Sequence, residues 1–323
     1  MKTETTKMIS KMDQLALGVL VGWPEGEPVG IVQISHGMCE RKERYLPFLE
    51  FLCGRGYVCV IHDHRGHGES VRSPEDLGYF YENGHQAVVE DVHQINQWMQ
   101  ERYPQLPFFL FGHSMGSLVV RNYIKKYDDT IDGLMVCGSP SATPASKLGL
   151  ALSAGLKKRR TDRYVANRFN RIAFGNFNRK FLPVDSENAW LCSDPKVVAE
   201  YDQDPLCGFV FTINGFESLF HLMEETYNPK GWKVANPSLP IWFLAGEDDP
   251  CLLSRVKFLE AVDFIHKVGY ETVSAKLYPG MRHEILNEIR KETVFHDVVQ
   301  HLDAWRARKE AIHSLEEQGK NPE

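Results

Sequence analysis

Short apolar runs alternating with helix-patterned segments predict an α/β fold: a mostly parallel, twisted sheet flanked by helices, with an inserted helical lid. Three observations carry this. Strand-like runs recur at 15–21, 30–35, 58–62, 108–111, 134–137, 241–245 and 273–278. Helical periodicity fills the intervals at 45–54, 84–103, 117–127, 254–268 and 288–309. The rhythm then breaks between about 143 and 235, where aromatics, Arg and Asn crowd into helix-like patches at 148–156, 164–174 and 216–227.

The first two runs are separated by a turn-forming cluster, Trp23-Pro24-Glu25-Gly26-Glu27-Pro28, and read as an antiparallel hairpin. The later runs are short and continuous, the signature of strands covered by helices on both faces. Alternating β and α units of this length predict right-handed crossovers. An insertion after a strand at the carboxyl edge of such a sheet sits over the site. The expected organisation is therefore a core in two parts, 1–142 and 236–312, a helical cap at 143–235 and a frayed polar tail at 313–323.

Composition sets outer bounds. At 323 residues, 43% hydrophobic and 25% charged, the chain carries enough apolar surface for a large core. A net charge of −6 argues against a general nucleic-acid binder. The local basic run Lys157-Lys158-Arg159-Arg160 reads first as a solvated face, with peripheral membrane contact left open. Seven scattered cysteines, with no C-x-x-C pair, fit a reducing cytoplasm better than a disulfide framework. The first 13 residues lack an apolar leader segment, and no stretch approaches the ~20 apolar residues of a membrane span.

The chemistry centres on Gly112-His113-Ser114-Met115-Gly116, between an apolar strand run and a helical pattern. A strand, sharp turn and helix present a serine hydroxyl clear of the sheet. That hydroxyl needs a histidine base held by a carboxylate. The run at 241–246 ends in Glu247-Asp248-Asp249-Pro250, leaving three candidate acids. The last strand runs into Pro279-Gly280-Met281-Arg282-His283, which brings His283 to the sheet edge of Ser114. Backbone N–H donors for an oxyanion are expected at Met115 and, after the run 30–35, at Met38. His36 reads as a shaper of that loop. Asp63-His64-Arg65-Gly66-His67-Gly68-Glu69-Ser70 reads as a hydrogen-bonded loop rather than a metal site, and no nucleotide-binding glycine pattern occurs, so neither metal nor cofactor is expected.

Taken in order, His36-Gly37-Met38-Cys39-Glu40 with Arg44-Tyr45, the 63–70 loop, the 112–116 pentapeptide, 246–250 and Arg282-His283-Glu284 resemble a known family. It is the monoacylglycerol lipase and lysophospholipase-like branch of the α/β-hydrolase superfamily, grouped with serine aminopeptidases. The likeness extends from about 30 to 302. It implies an α/β-hydrolase fold, Ser114 as nucleophile, Asp249 as acid with Asp248 the runner-up, His283 as base, and Met38 and Met115 as oxyanion donors. Two departures bear on the leaving group: Cys39 replaces the frequent Ala or Gly, and Arg41-Lys42-Glu43 is unusually charged.

Three functions follow as expectations. The first is a serine hydrolase of monoacylglycerol or lysophospholipid-like esters acting through an acyl-enzyme. The second is an aminopeptidase, with Glu217, Glu224 and Glu225 as possible amine anchors. The third is a non-catalytic binding protein, against which the intact Ser, Asp and His set speaks. Of the lid aromatics Phe169, Phe174, Phe177, Phe181, Trp190, Phe209, Phe211, Phe216 and Phe220, about half are expected in its own core, and the rest, with Met38 and Met115, around an acyl pocket.

Overall fold

The computed structural model describes residues 1–319. Eight strands form one sheet: β1 (Lys2–Ile9), β2 (Ala16–Trp23), β3 (Gly30–Ser35), β4 (Tyr57–His62), β5 (Phe108–His113), β6 (Gly133–Cys137), β7 (Ile241–Gly246) and β8 (Val273–Tyr278). Their spatial order is β1-β2-β4-β3-β5-β6-β7-β8. From β4 to β8 all pairs are parallel. Every residue of β3 to β7 is buried, which is why their sequences run apolar without alternation.

Two apolar cores fill the two faces. On one face lie α2 (Gly84–Arg102), α3 (Met115–Tyr127) and α8 (Arg255–Lys267), with Val92, Leu118 and Phe258 buried against the sheet. On the other lie α1 (Leu46–Cys53) and α9 (Lys291–Gly319), through Phe48, Phe295 and Leu302.

The hairpin expected between 15–21 and 30–35 does not form. Instead β2 pairs antiparallel with β1 on one side and β4 on the other. The missed partner, β1, is a polar edge strand, KTETTKMI, with most side chains exposed. Its threonines favour extended backbone, but an edge strand with little to bury carries no apolar alternation. The polar tail also differs, because α9 continues to Gly319 through Glu310, Ala311 and Glu316 with no glycine or proline to stop it. Residues 320–323 lie outside the described residues.

Chain order and strand order part company at β3. The connection from β3 leads to β4 on one side, and β5 then pairs on the other. The loops leaving the carboxyl ends of β3 and β5 therefore diverge and open a crevice, the place where ligands bind in sheets of this type. Between β6 and β7 the chain leaves the sheet and forms α4 (Ala145–Lys157), α5 (Asn167–Phe174), α6 (Pro195–Gln203) and α7 (Ile213–Thr226). Side chains cap three helix starts: Asp194 for α6, Thr212 for α7 and Ser254 for α8. Among the described residues, no helix is long and apolar enough to cross a membrane.

Candidate active site

Ser114 is the first residue after β5 and the N-cap of α3, with φ 52° and ψ −118°. A non-glycine residue holds this conformation only when its surroundings enforce it. Here the Ser114 N–H donates to the Cys137 carbonyl at 2.9 Å, tying the turn to β6. The flanking glycines are needed for space. A Cβ on Gly116 would stand 2.0 Å from the Ser35 carbonyl oxygen, and one on Gly112 would stand 2.5 Å from that of Gly116. These contacts press α3 against the end of β3, so the first N–H of the helix, Met115, and the loop N–H of Met38 share one region. Neither N–H has a partner among the described residues.

His283 lies in the loop after β8 and Asp249 in the loop after β7. Asp249 Oδ2 is 2.8 Å from His283 Nδ1, and both side chains are buried. The Cys251 N–H donates to the other carboxylate oxygen at 2.8 Å. Asp248 instead pairs with Lys180 at the surface, and Glu247 is exposed. Of the three acids, only Asp249 meets the imidazole. The Ser114 hydroxyl makes no hydrogen bond among the described residues.

Ser114, Met38, Met115 and His283 open onto one cavity of about 960 Å³. Its far wall is aromatic: Phe169, Phe174, Phe177, Phe209 and Phe220, with Trp190 centred 5.0 Å from the His283 ring. Phe211 and Phe216 are wholly buried instead, and Phe181 lies under the Arg282 guanidinium at 4.0 Å. The carboxylates weighed as amine anchors are engaged elsewhere. Glu217 binds Lys157, Glu224 accepts from Ser146, and Glu225 binds His85.

Behind the dyad lies a buried charged group whose role no spacing disclosed. Glu40 accepts from the Gly37 N–H (2.6 Å), Tyr45 (2.9 Å), His113 Nδ1 (3.3 Å) and Arg44 (2.8 Å). Arg44 also forms a bidentate pair with Glu284 at 2.6 Å. His113 Nε2 lies 3.3 Å from the His283 carbonyl. Burial alone would raise the Glu40 carboxyl, but the His113 hydrogen bond and Arg44 outweigh it and hold it far below the carboxylate range. Burial would lower His113, yet the Glu40 bond outweighs it and leaves it raised, and each ring nitrogen faces an acceptor, Glu40 at Nδ1 and the His283 carbonyl at Nε2. Arg44 likewise holds Glu284 low against its burial. The residues were visible as motif letters, but their mutual contacts span up to 240 positions.

The loop after β3 is further fixed by neutral histidines. His36 Nδ1 donates to the Gly37 carbonyl (2.8 Å) and its Nε2 accepts from the His64 N–H (2.9 Å). His67 Nε2 accepts from the Cys39 N–H at 3.2 Å. In the 63–70 loop, Asp63 accepts from Lys42 and from the Glu69 N–H, and Ser70 donates to the Asp63 carbonyl. The inserted segment is stapled to this region. Tyr201 Oη and the Gly208 N–H both donate to the Cys39 carbonyl at 2.9 Å, Arg41 pairs with Asp204 at 2.7 Å, and the Glu284 N–H donates to the Leu191 carbonyl at 2.7 Å.

A parallel sheet with a serine on a strained strand–helix turn and a buried His–Asp pair at the same edge defines an α/β-hydrolase. The family described as serine aminopeptidase, S33, matches residues 26–290, and the chain belongs to it. The chain is 27% identical over 287 residues to the monoacylglycerol lipase of Mycolicibacterium smegmatis, covering 86% of this chain and 91% of that one. It is 25% identical over 277 residues to phospholipase YtpA of Bacillus subtilis, covering 84% and 95%. Among solved structures, a highly thermostable carboxyl esterase from Bacillus coagulans in complex with glycerol superposes with a TM-score of 0.87, at 26% identity, over 95% of this chain and 99% of that one. By class the chain is a carboxylic ester hydrolase of the monoacylglycerol-lipase-like branch.

Proposed function

We propose that the chain cleaves monoacyl esters, of the monoacylglycerol or lysophospholipid kind, with residues 143–235 acting as a cap over the site. One observation carries the reading: the strained Ser114 and the buried His283–Asp249 pair open onto an aromatic cavity of about 960 Å³. That volume is at the upper end of small-molecule sites, and room for an acyl chain is what it offers. In this scheme Ser114 Oγ attacks the ester carbonyl while His283 Nε2 takes its proton, and Asp249 holds the Nδ1–H and offsets the imidazolium charge. The Met38 and Met115 N–H groups receive the oxyanion at the positive end of α3. The protonated His283 then releases the alcohol, and water repeats the sequence on the acyl-enzyme. Seven free, buried thiols support a reducing, cytoplasmic setting. Leu148, Leu152 and Ile172, exposed at the cavity rim, support peripheral contact with lipid.

A panel of glycerol monoesters tests the reading. Each buried methylene contributes about 0.8 kcal/mol, so kcat/KM rises about fourfold per carbon until the cavity fills. Ser114→Ala loses roughly 10⁴-fold or more of the turnover and all labelling by a fluorophosphonate. An aminopeptidase would need a carboxylate for the substrate amine. Glu187, at the cavity wall without an ion-pair partner among the described residues, is the side chain that favours this second reading. Arylamides cleaved faster than esters, with no rise along the acyl series, would establish it instead.

A further inference from the structure

We infer that Asp249, Cys251 and His283 form a binding site for a thiophilic divalent cation, zinc in the first instance, whose occupancy switches hydrolysis off. Cys251 follows Asp249 by two residues, inside the 3-10 turn Pro250–Leu252. That tight turn folds the chain back so that the Cys251 N–H reaches Asp249 Oδ1 and the thiol lies beside the same carboxylate. A sulfur, an imidazole nitrogen and a carboxylate oxygen from the three residues all lie within 4.8 Å of one another. Among the described residues no other trio of His, Cys or acidic side chains is so placed. Cys251 and His283 both reach the cavity wall, which provides the route in and room for a water as fourth ligand.

The donor set selects the ion. Sulfur and imidazole favour borderline-soft metals over magnesium or calcium. Tetrahedral zinc, with bonds of about 2.0–2.3 Å, sets its ligand atoms roughly 3.3–3.7 Å apart. The 2.8 Å between Asp249 and His283 Nδ1 must therefore open by about half an ångström. Proton balance explains both binding and inhibition. At rest the thiol carries its proton, Nδ1–H donates to Asp249, and the trio bears one negative charge. The cation replaces the thiol proton, which leaves to solvent, and takes Nδ1. The former Nδ1 proton is exchanged through water onto Nε2. Thiolate, carboxylate and dication then sum to zero, which suits a buried site. An imidazole protonated at Nε2 has no lone pair left for the Ser114 proton, so kcat falls while KM is unchanged. The inhibition arm rests on the roles proposed above for Ser114 and His283; the binding arm does not.

The test titrates the full chain with cadmium, following the ultraviolet thiolate-to-metal absorption and proton release in weak buffer, and in parallel titrates ester hydrolysis with zinc. One cadmium per chain, one proton released and an affinity rising about tenfold per pH unit are expected. Zinc lowers kcat, a chelator restores it, and magnesium has no effect. Cys251→Ala abolishes the absorption and the zinc sensitivity, each judged against that variant's own metal-free state. Undiminished absorption or inhibition in Cys251→Ala overturns the proposal. Should that variant not fold, Cys251→Ser replaces it and must weaken cadmium binding at least about tenfold. Cadmium binding without ester cleavage would sustain the site and remove the hydrolase mechanism; ester cleavage indifferent to zinc would overturn the switch and leave the hydrolase reading standing.

Discussion

Glu40→Gln tests whether the charged group behind the dyad holds His283, the proposed base, in place. Glu40 and Glu284 face Arg44 and a His113 that the fold holds towards its charged form, and all four side chains are at most 12% exposed. The substitution leaves one positive charge uncompensated and sets an amide NH₂ against Arg44, a donor against a donor. Breaking a buried pair in this way costs about 3–5 kcal/mol. His113 offers a partial escape. With the carboxylate gone, burial favours its neutral form, so the stability loss is largest below pH 6.5 and shrinks as pH rises above it. Escape has a functional consequence, because a ring with one N–H cannot serve both the introduced amide and the His283 carbonyl as a donor. A hydrogen bond from a charged donor contributes about 1.5–3 kcal/mol, so kcat is expected to fall about 10–100-fold with KM little changed. Urea unfolding and steady-state kinetics at three pH values give both quantities. A wild-type urea midpoint together with a wild-type kcat would refute the argument.

Exchanging the neighbouring acids separates their parts: Asp249→Asn is expected to lower kcat by about 10⁴, since an amide favours the wrong imidazole tautomer. Asp248→Asn, losing only a surface pair with Lys180, stays within a few-fold in the same assay. Acid stability follows the histidine group under β3 and β4. Burial holds His62 and His67 down at about 3, and lowers His36 and His64 as well. The unfolded chain takes these protons near pH 6.5 and the folded chain does not, so stability is full above pH 6.5 and falls as pH drops towards 3. The slope is at most about 1.4 kcal/mol per pH unit for each histidine. Glu40 adds in the same direction, and His113, raised in the fold, partly offsets it. Urea midpoints independent of pH between 4.5 and 6.5 would contradict this account.

How much of this was legible in the sequence depended on what each feature buries. Strands β3 to β7 declare themselves because both of their faces are covered, and Ser114 because its two glycines are forced by contacts under 3 Å. Asp249 was separable from Asp248 only through the family likeness. The geometry adds the reason, since Pro250 starts the turn that sends Asp249 inward and leaves Asp248 to Lys180. Strand β1 was illegible because an exposed edge imposes no apolar pattern. Glu40, Arg44, His113 and Glu284 were illegible as a unit, because charge balance in a buried group depends on which distant segments meet.

The two hydrogen bonds that converge on the Cys39 carbonyl divide the inserted segment into parts with different freedom to vary. Residues around Tyr201, Asp204 and Gly208 hold the loop that presents Met38, and Leu191 holds the backbone next to His283. An exchange there is expected to shift the Met38 loop and the His283 backbone together. Helices α4 and α5, which supply Leu148, Leu152, Phe169 and Ile172 to the cavity, make none of these loop contacts. A chimaera replacing 145–174 would therefore redraw the pocket while keeping the chemistry aligned, whereas one replacing 189–210 would have to carry its own 36–45 loop with it.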